Sequence, residues 1–486
     1  MRNIFTFLLF ISLFSEVIAQ TNNDSLYIKL QTANGTEKVD VYLAIAKANW
    51  RTSTDSIYKF SNKALHLARE IGYLNGEAKA LSYIGVTFFY KAEYDSVLKY
   101  YDAAIEKFKQ SNDNSGVAIA INNKGVLYKR MGEYNKAIEC YNEAIKIHME
   151  SQNYLEIGGA YLNIGNVYDI QNVFDKAMEY YFLALEQFDK IDNKIKIAGA
   201  YTNIGQVYSD LKQNPKALEY YSRALALQRE SEDIYGMANS LCNIGIVHKT
   251  TGNYSESVEC FNQSIDLYKR MDDADALAWV YNNLGVVYVL LEEWQKALQM
   301  YRKTIEITEE IGDDESLAYV KYDLADLYFK KKDWNAAYNN LMEGINLGRS
   351  LNMLDLLEKS YLLLSRVDSA KGNLLKSLEN YKTYTLYKDT IFNLESDRNI
   401  AEMQTRYETS KKEQEIIKLK EEKVLHELKV AKSRIRWIIS FSVFIILSVI
   451  IFMRYRSRQR KLQARLMLKN TMETEDKERK IFAEEL

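Results

Sequence analysis

Proline is almost missing from this chain: 486 residues contain one, Pro215. Sheet edges and irregular loops use proline routinely, so its near absence excludes loop-rich and most β architectures and leaves helices joined by short links. Cysteine is nearly as scarce. Cys140, Cys242 and Cys260 cannot make a disulfide framework, and no C-x-x-C spacing exists for zinc. They are expected to be small buried hydrophobes. Histidine occurs four times, as His66, His148, His248 and His426, with no partners at metal-ligand spacing. No G-x-S-x-G nucleophile motif is present. The formal charge of −2 supplies no basic field for nucleic acid. The expectation is therefore a non-enzyme with no catalytic residue, no metal and no cofactor.

What the chain has in excess is tyrosine, 37 of them, and they recur at a fixed interval. Tyr161-Leu-Asn-Ile-Gly-Asn-Val-Tyr168 returns as Tyr201-Thr-Asn-Ile-Gly-Gln-Val-Tyr208 and as Tyr281-Asn-Asn-Leu-Gly-Val-Val-Tyr288. The period is 40 residues. Glycine stands at 85, 125, 165, 205, 245 and 285, followed at the same interval by Ala325 and Ser365. Three residues later come Phe88, Tyr128, Tyr168, Tyr208, His248, Tyr288 and Tyr328. A small residue recurs at Ala137, Ala177, Ala217, Ser257, Ala297 and Ala337, with a large one four residues on at Tyr141, Tyr181, Tyr221, Phe261, Tyr301 and Leu341. Spacings of three and four are helical, so each period reads as two antiparallel helices, A and B. The glycine lets helix A approach helix B, and the aromatics are expected to fill the gaps between neighbouring repeats. Most tyrosines, and His248 in its aromatic position, are expected to be satisfied core side chains. Asn, Asp, Gly and Ser cluster between the helices, and Pro215 opens a B helix, where a missing N–H costs nothing.

This order resembles the tetratricopeptide repeat, lengthened from 34 to 40 residues and lacking the proline that closes the usual unit. The resemblance implies an all-α solenoid of nine helix pairs over residues 38–392, with Ile45 in the glycine position of the first and Ser365 in that of the last. It also implies a concave face lined by the A helices. Two places before the glycine lie Asn123, Asn163, Asn203, Asn243 and Asn283, a ladder of amides able to bond the backbone of an extended peptide. Inter-repeat bonding is the competing role for the same amides. Lys129, Arg130, Asp169, Asp210 and Lys249 give the face no single sign of charge.

Two apolar runs frame the array. Residues 1–19, ending Val17-Ile18-Ala19, read as a secretory signal peptide. Trp437 to Met453 holds no charge, and residues 435–453 are expected to be a single transmembrane helix. Arg454, Arg456, Arg458, Arg460, Lys461 and Arg465 follow it, which places residues 454–486 in the cytoplasm, at lipid headgroups. The array would then sit in the periplasm, anchored to the inner membrane. Between array and span, residues 395–434 read as one charged helix. Ile400, Met403, Tyr407, Ile417, Val424, Leu428 and Ile435 form a narrow apolar stripe along it, the mark of a coiled coil and of a homodimer.

The whole order resembles the sensor histidine kinases with tetratricopeptide input domains found in the Bacteroidetes. Tyr407-Glu-Thr-Ser-Lys-Lys-Glu-Gln-Glu-Ile416 is similar to their linker before the membrane, and Glu478-Arg-Lys-Ile-Phe-Ala-Glu-Glu-Leu486 to the opening of their dimerisation helix, with Phe482 one place out of register. The resemblance implies a phosphoacceptor histidine just beyond Leu486 and an ATP-binding domain after it. The chain as given is expected to be the sensor half. It would recognise a peptide or protein outside the cytoplasm and relay it through a dimeric helix. A membrane-anchored scaffold without signalling is the alternative.

Overall fold

The computed structural model describes residues 25–49 and 53–484; the expected signal peptide lies outside them. All regular elements among the described residues are helices. A short α1 (residues 25–32) precedes nine A/B pairs. The pairs are α2 (Gly35–Ala48) with α3 (Thr54–Glu70), α4 (Leu74–Tyr90) with α5 (Tyr94–Gln110), and α6 (Asn114–Arg130) with α7 (Tyr134–Glu150). Next come α8 (Tyr154–Ile170) with α9 (Phe174–Asp189), α10 (Lys194–Asp210) with α11 (Asn214–Glu230), and α12 (Ile234–Thr250) with α13 (Tyr254–Met271). The last are α14 (Ala274–Leu290) with α15 (Trp294–Ile311), α16 (Asp314–Lys330) with α17 (Trp334–Ser350), and α18 (Leu354–Ala370) with the start of α19 (Leu374–Glu484).

The links explain the regularity. A residue of positive φ stands at every twentieth position from Gly72 to Gly372. At the first non-glycine case, Ala92 N–H donates to Phe89 O (3.1 Å) and Glu93 N–H to Phe88 O (3.0 Å), the paired bonds of a Schellman motif. One left-handed residue ends each helix from α3 to α18 and turns the chain, so the 40-residue period is two 20-residue helix-and-turn modules. Helix A then starts on a cap. Asp113, Asn153, Asn193, Asp233, Asp273 and Asp313 accept the N–H three residues on, at 2.8–3.4 Å. These caps are what the polar clusters between repeats supply. Pro215 lies in the first turn of α11.

In the six pairs from α4/α5 to α14/α15 the recurrent glycine meets the recurrent ring. A Cβ built at Gly125, Gly165 or Gly205 would lie 2.6, 2.5 or 2.7 Å from the ring of Tyr141, Tyr181 or Tyr221. No side chain fits there, and the ring fills the contact instead. The second set of aromatics differs from expectation. Phe88, Tyr168 and Tyr208 stack on Tyr100, Tyr180 and Tyr220 of their own repeats, at 5.2–5.5 Å between centroids. They close the pair, and Phe88 also fills the gap between neighbours, meeting Tyr58 of the preceding repeat edge-on (6.3 Å). The reason is geometric: they lie one helical turn beyond the glycine, still on the surface that faces helix B. Cys140 and Cys260 occupy the position of Tyr100, Tyr180 and Tyr220, and burial pushes the Cys140 thiol up to about 11.

The histidines are also redistributed. His248 is half-buried beside Asn253 (3.5 Å), as Phe88, Tyr128 and Tyr208 are half-buried in the same position. The buried histidine is His148, 1% exposed, in the place of Phe108 and Phe188. Burial lowers its pKa, so it stays neutral.

Successive A helices touch one another along the array, whereas successive B helices make no comparable contact. The stack therefore curves with the A helices on its inner side. In the last pair, Tyr361 stacks on Tyr387 (5.6 Å), and Asn380 donates to Asp368 (2.8 Å).

Residues 398–484 form a second unit, helical throughout. It carries the one stretch among the described residues that is long and apolar enough to cross a membrane. Its apolar side chains from Trp437 to Met453 are exposed, as are Ile417, Val424, Leu428 and Ile435 of the stripe. The side chains of Ile400 and Tyr407 lie outside the described ones.

Candidate peptide-binding face

The five asparagines stand on α6, α8, α10, α12 and α14, all half-buried on the inner side of the stack. The structure couples three of them to the preceding repeat. Asn163 Nδ2 donates to Asn122 Oδ1 (3.3 Å), and Asn203 Nδ2 to Asn166 Oδ1 (3.2 Å). Asn283 Oδ1 accepts from Lys249 Nζ (2.8 Å). For Asn123 and Asn243 no hydrogen bond is found among the described residues. An amide has two donor hydrogens and two acceptor positions, so one strut to a neighbour leaves capacity for a ligand.

Shallow cavities open beside this row. One of about 210 Å³ is lined by Phe89, Tyr90 and Asn123. A second, about 430 Å³, lies between α10 and α12 with Ile195, Gly199, Asn203, Asn239 and Asn243 on its wall. A third, about 460 Å³, lies between α14 and α16 beside Trp279, Asn283, Tyr319 and Asp323. Four of the five ladder asparagines, Asn123, Asn203, Asn243 and Asn283, thus line a cavity.

Several residues of this face escaped the sequence reading. Asp323 is one, although it stands 40 residues after Asn283 and so continues the ladder with a carboxylate; counting the position past the last asparagine would have found it. Burial, then Asp326, raise its pKa to about 6, against an opposing hydrogen bond from Asn282 (2.8 Å). Asn166 and Gln206, one place after their glycines, accept the hydroxyls of buried Tyr181 (2.8 Å) and Tyr221 (3.1 Å). No periodic signal marks them, because Val126 holds the same place in the repeat before. Burial and then Asp210 push Asp169 up to about 6, and burial lowers Lys129 and Lys249. Of the mixed charges expected on the inner face, Lys129, Asp169, Asp210 and Lys249 are partly desolvated, and Arg130 is exposed.

The repeats match known ones in sequence. Residues 118–148 match one model of the tetratricopeptide repeat, and overlapping windows 196–270, 236–310 and 276–350 match another. The array is a tetratricopeptide-repeat solenoid. Among curated proteins the chain has no match. Among solved structures it is similar to the apo form of the quorum sensor NprR from B. thuringiensis, with 19% identity, a TM-score of 0.51, and coverage of 73% of this chain and 100% of that one. It is also similar to a signal transduction ATPase with a tetratricopeptide-repeat sensor from Pyrococcus horikoshii, with 16% identity, a TM-score of 0.50, and coverage of 72% and 55%. Aspartyl phosphate phosphatase F from Bacillus subtilis is similar over 73% of this chain and 95% of its own, with 16% identity and a TM-score of 0.48. At these identities the likeness is one of fold.

Proposed function

We propose that this chain is a membrane-anchored sensor whose tetratricopeptide array binds an extended peptide along its inner face. One observation carries the reading: four of the five ladder asparagines, Asn123, Asn203, Asn243 and Asn283, line cavities on that face. A peptide main chain offers alternating N–H and C=O groups, which a row of amides can bond whatever the sequence, while side chains enter the cavities and set specificity. The apolar run of α19 would anchor the array in the inner membrane, with the array outside the cytoplasm. The charged helix before it would pair with a second copy and carry the signal across. The output in this reading is a kinase module of the two-component type, in which the present chain is the input half and performs no chemistry itself.

The test uses the full chain in detergent and a displayed library of random heptapeptides. Peptides enriched on the parent should lose binding to the double variant Asn203→Ala/Asn243→Ala, with helix content by circular dichroism unchanged. Equal capture by parent and variant removes the ladder from the binding site.

The struts from Asn163 and Asn203 to the neighbouring repeats favour a second reading, a scaffold in which the amides only hold repeat to repeat. In that case the Asn163→Ala/Asn203→Ala variant lowers the unfolding midpoint and leaves peptide capture intact.

A further inference from the structure

The cavity between α14 and α16 differs in chemistry from the rest of the inner face. Its wall carries three carboxylates, Asp313, Glu315 and Asp323, two aromatic residues, Trp279 and Tyr319, and no lysine or arginine. Asp313 is committed through Oδ1 to the backbone N–H of Ser316 (3.0 Å), where it caps α16. Asp323 is placed for a different task. It stands deeper, in the ladder position. Its Oδ2 accepts from Asn282 (2.8 Å), and no ion pair is found for it among the described residues. Lys249 and Lys359 act on Asp323 only from beyond ion-pair distance: Lys249 Nζ donates to Asn283 Oδ1 on the same cavity wall (2.8 Å), and Lys359 pairs with Asp355 (3.9 Å). A carboxylate withdrawn from water without a direct ion pair is costly, and burial raises its pKa to about 6 although Asn282 and the two lysines oppose the rise. Trp279 stays 46% exposed, an aromatic surface left open at the mouth.

A desolvated carboxylate beside open aromatic rings is the arrangement that binds an organic cation: the charge pairs with the carboxylate, and the ring supplies a negative face within about 6 Å. We propose that this cavity binds a cationic group of the ligand, a guanidinium or ammonium paired with Asp323 and covered by Trp279 and Tyr319. The assignment rests on the peptide reading of the inner face and gives it a direction, since the charged residue of the peptide would be anchored in repeats seven and eight. A side-chain cation and a peptide's own amino terminus share this chemistry.

The test titrates the full chain in detergent with three probes: N-acetyl-arginine amide, its neutral isostere N-acetyl-citrulline amide, and glycinamide, which carries only a free amino terminus. Tryptophan fluorescence is the readout, with Trp279→Phe as the control that the signal comes from the cavity. The arginine probe should bind, the citrulline probe should not, and Asp323→Asn should weaken the arginine probe at least about tenfold. Asparagine already occupies this position in five repeats, so the variant keeps the fold. Saturation by glycinamide, abolished in Asp323→Asn, assigns the pocket to a peptide amino terminus; saturation by the arginine probe alone assigns it to a side chain. Equal response to arginine and citrulline probes, or unchanged affinity in Asp323→Asn, overturns the proposal. Library peptides that need Asn203 and Asn243 but ignore Asp323 would leave the ladder standing and remove the cation pocket. Binding of the arginine probe through Asp323, with no peptide captured, would do the reverse.

Discussion

Tyr141 and Tyr181 occupy the same position one repeat apart, both fully buried against a glycine, and differ by one bond. The Tyr181 hydroxyl donates to Asn166, whereas that of Tyr141 has Val126 in the corresponding place and no hydrogen-bond partner among the described residues. An unmade buried bond costs about 1–3 kcal/mol, so the two should respond oppositely to losing the oxygen. Tyr141→Phe should raise the midpoint of thermal unfolding or leave it unchanged, and Phe261 shows that the position accepts phenylalanine. Tyr181→Phe should lower stability by about 1 kcal/mol. Calorimetry on the two variants decides it, and a loss in both would mean that the hydroxyl of Tyr141 is satisfied after all. This difference was not legible in the repeat pattern. The pattern reports shared residues, while the bond depends on a position where Val126, Asn166 and Gln206 have diverged.

At the scale of the element, the helices are set by two kinds of glycine. Gly165 is required, because a methyl group there would enter the ring of Tyr181 at 2.5 Å. Gly199, equally central in its helix, meets nothing within 4 Å on the inner face. Alanine should therefore act with opposite sign at the two sites. Gly165→Ala forces ring and helix apart, at a cost of roughly 1–3 kcal/mol. Gly199→Ala gains up to about 1 kcal/mol of helix propensity. Urea unfolding of both variants checks the prediction; destabilisation by Gly199→Ala would place a packed neighbour where none is seen. The 40-residue glycine was readable in the chain and its partner ring was not, since the sequence shows that two residues recur and not that they touch. The 20-residue turn rhythm was hidden for another reason. Its left-handed position is filled by Ala92, Lys212, Glu292 and others as readily as by glycine, because the Schellman bonds hold the backbone whatever the side chain.

At the scale of the whole molecule, the exposed stripe of Ile417, Val424 and Leu428 is apolar surface without a partner in a single chain. A paired helix would cover it. Single cysteines placed at Ile417, Val424 and Leu428 in native membranes should form symmetric disulfide dimers under mild oxidation, while cysteines at Lys418 and Lys429, off the stripe, should not. Uniform failure along the stripe, or indifference to position, would make the helix a monomeric anchor. The comparison cysteines matter, because collision in a crowded membrane links any exposed thiol without register.

The sequence alone determined the class of this protein. A 40-residue period with helical sub-spacings and almost no proline admits one economical structure, stacked helix pairs, because each pair exposes an apolar face that only a neighbour covers. It determined the apolar run of α19 in the same way, by composition and length. Only the tertiary structure decided what the periodic side chains do. It assigned one set of aromatics to the inside of each pair and buried His148 where His248 was expected. It also tied Asn163 and Asn203 to the preceding repeats and left Asp323 in an aromatic cavity with no ion pair among the described residues. A period specifies which positions are equivalent. Which of them meet depends on how each repeat is rotated on the last, and that angle is set by packing between residues far apart in the chain.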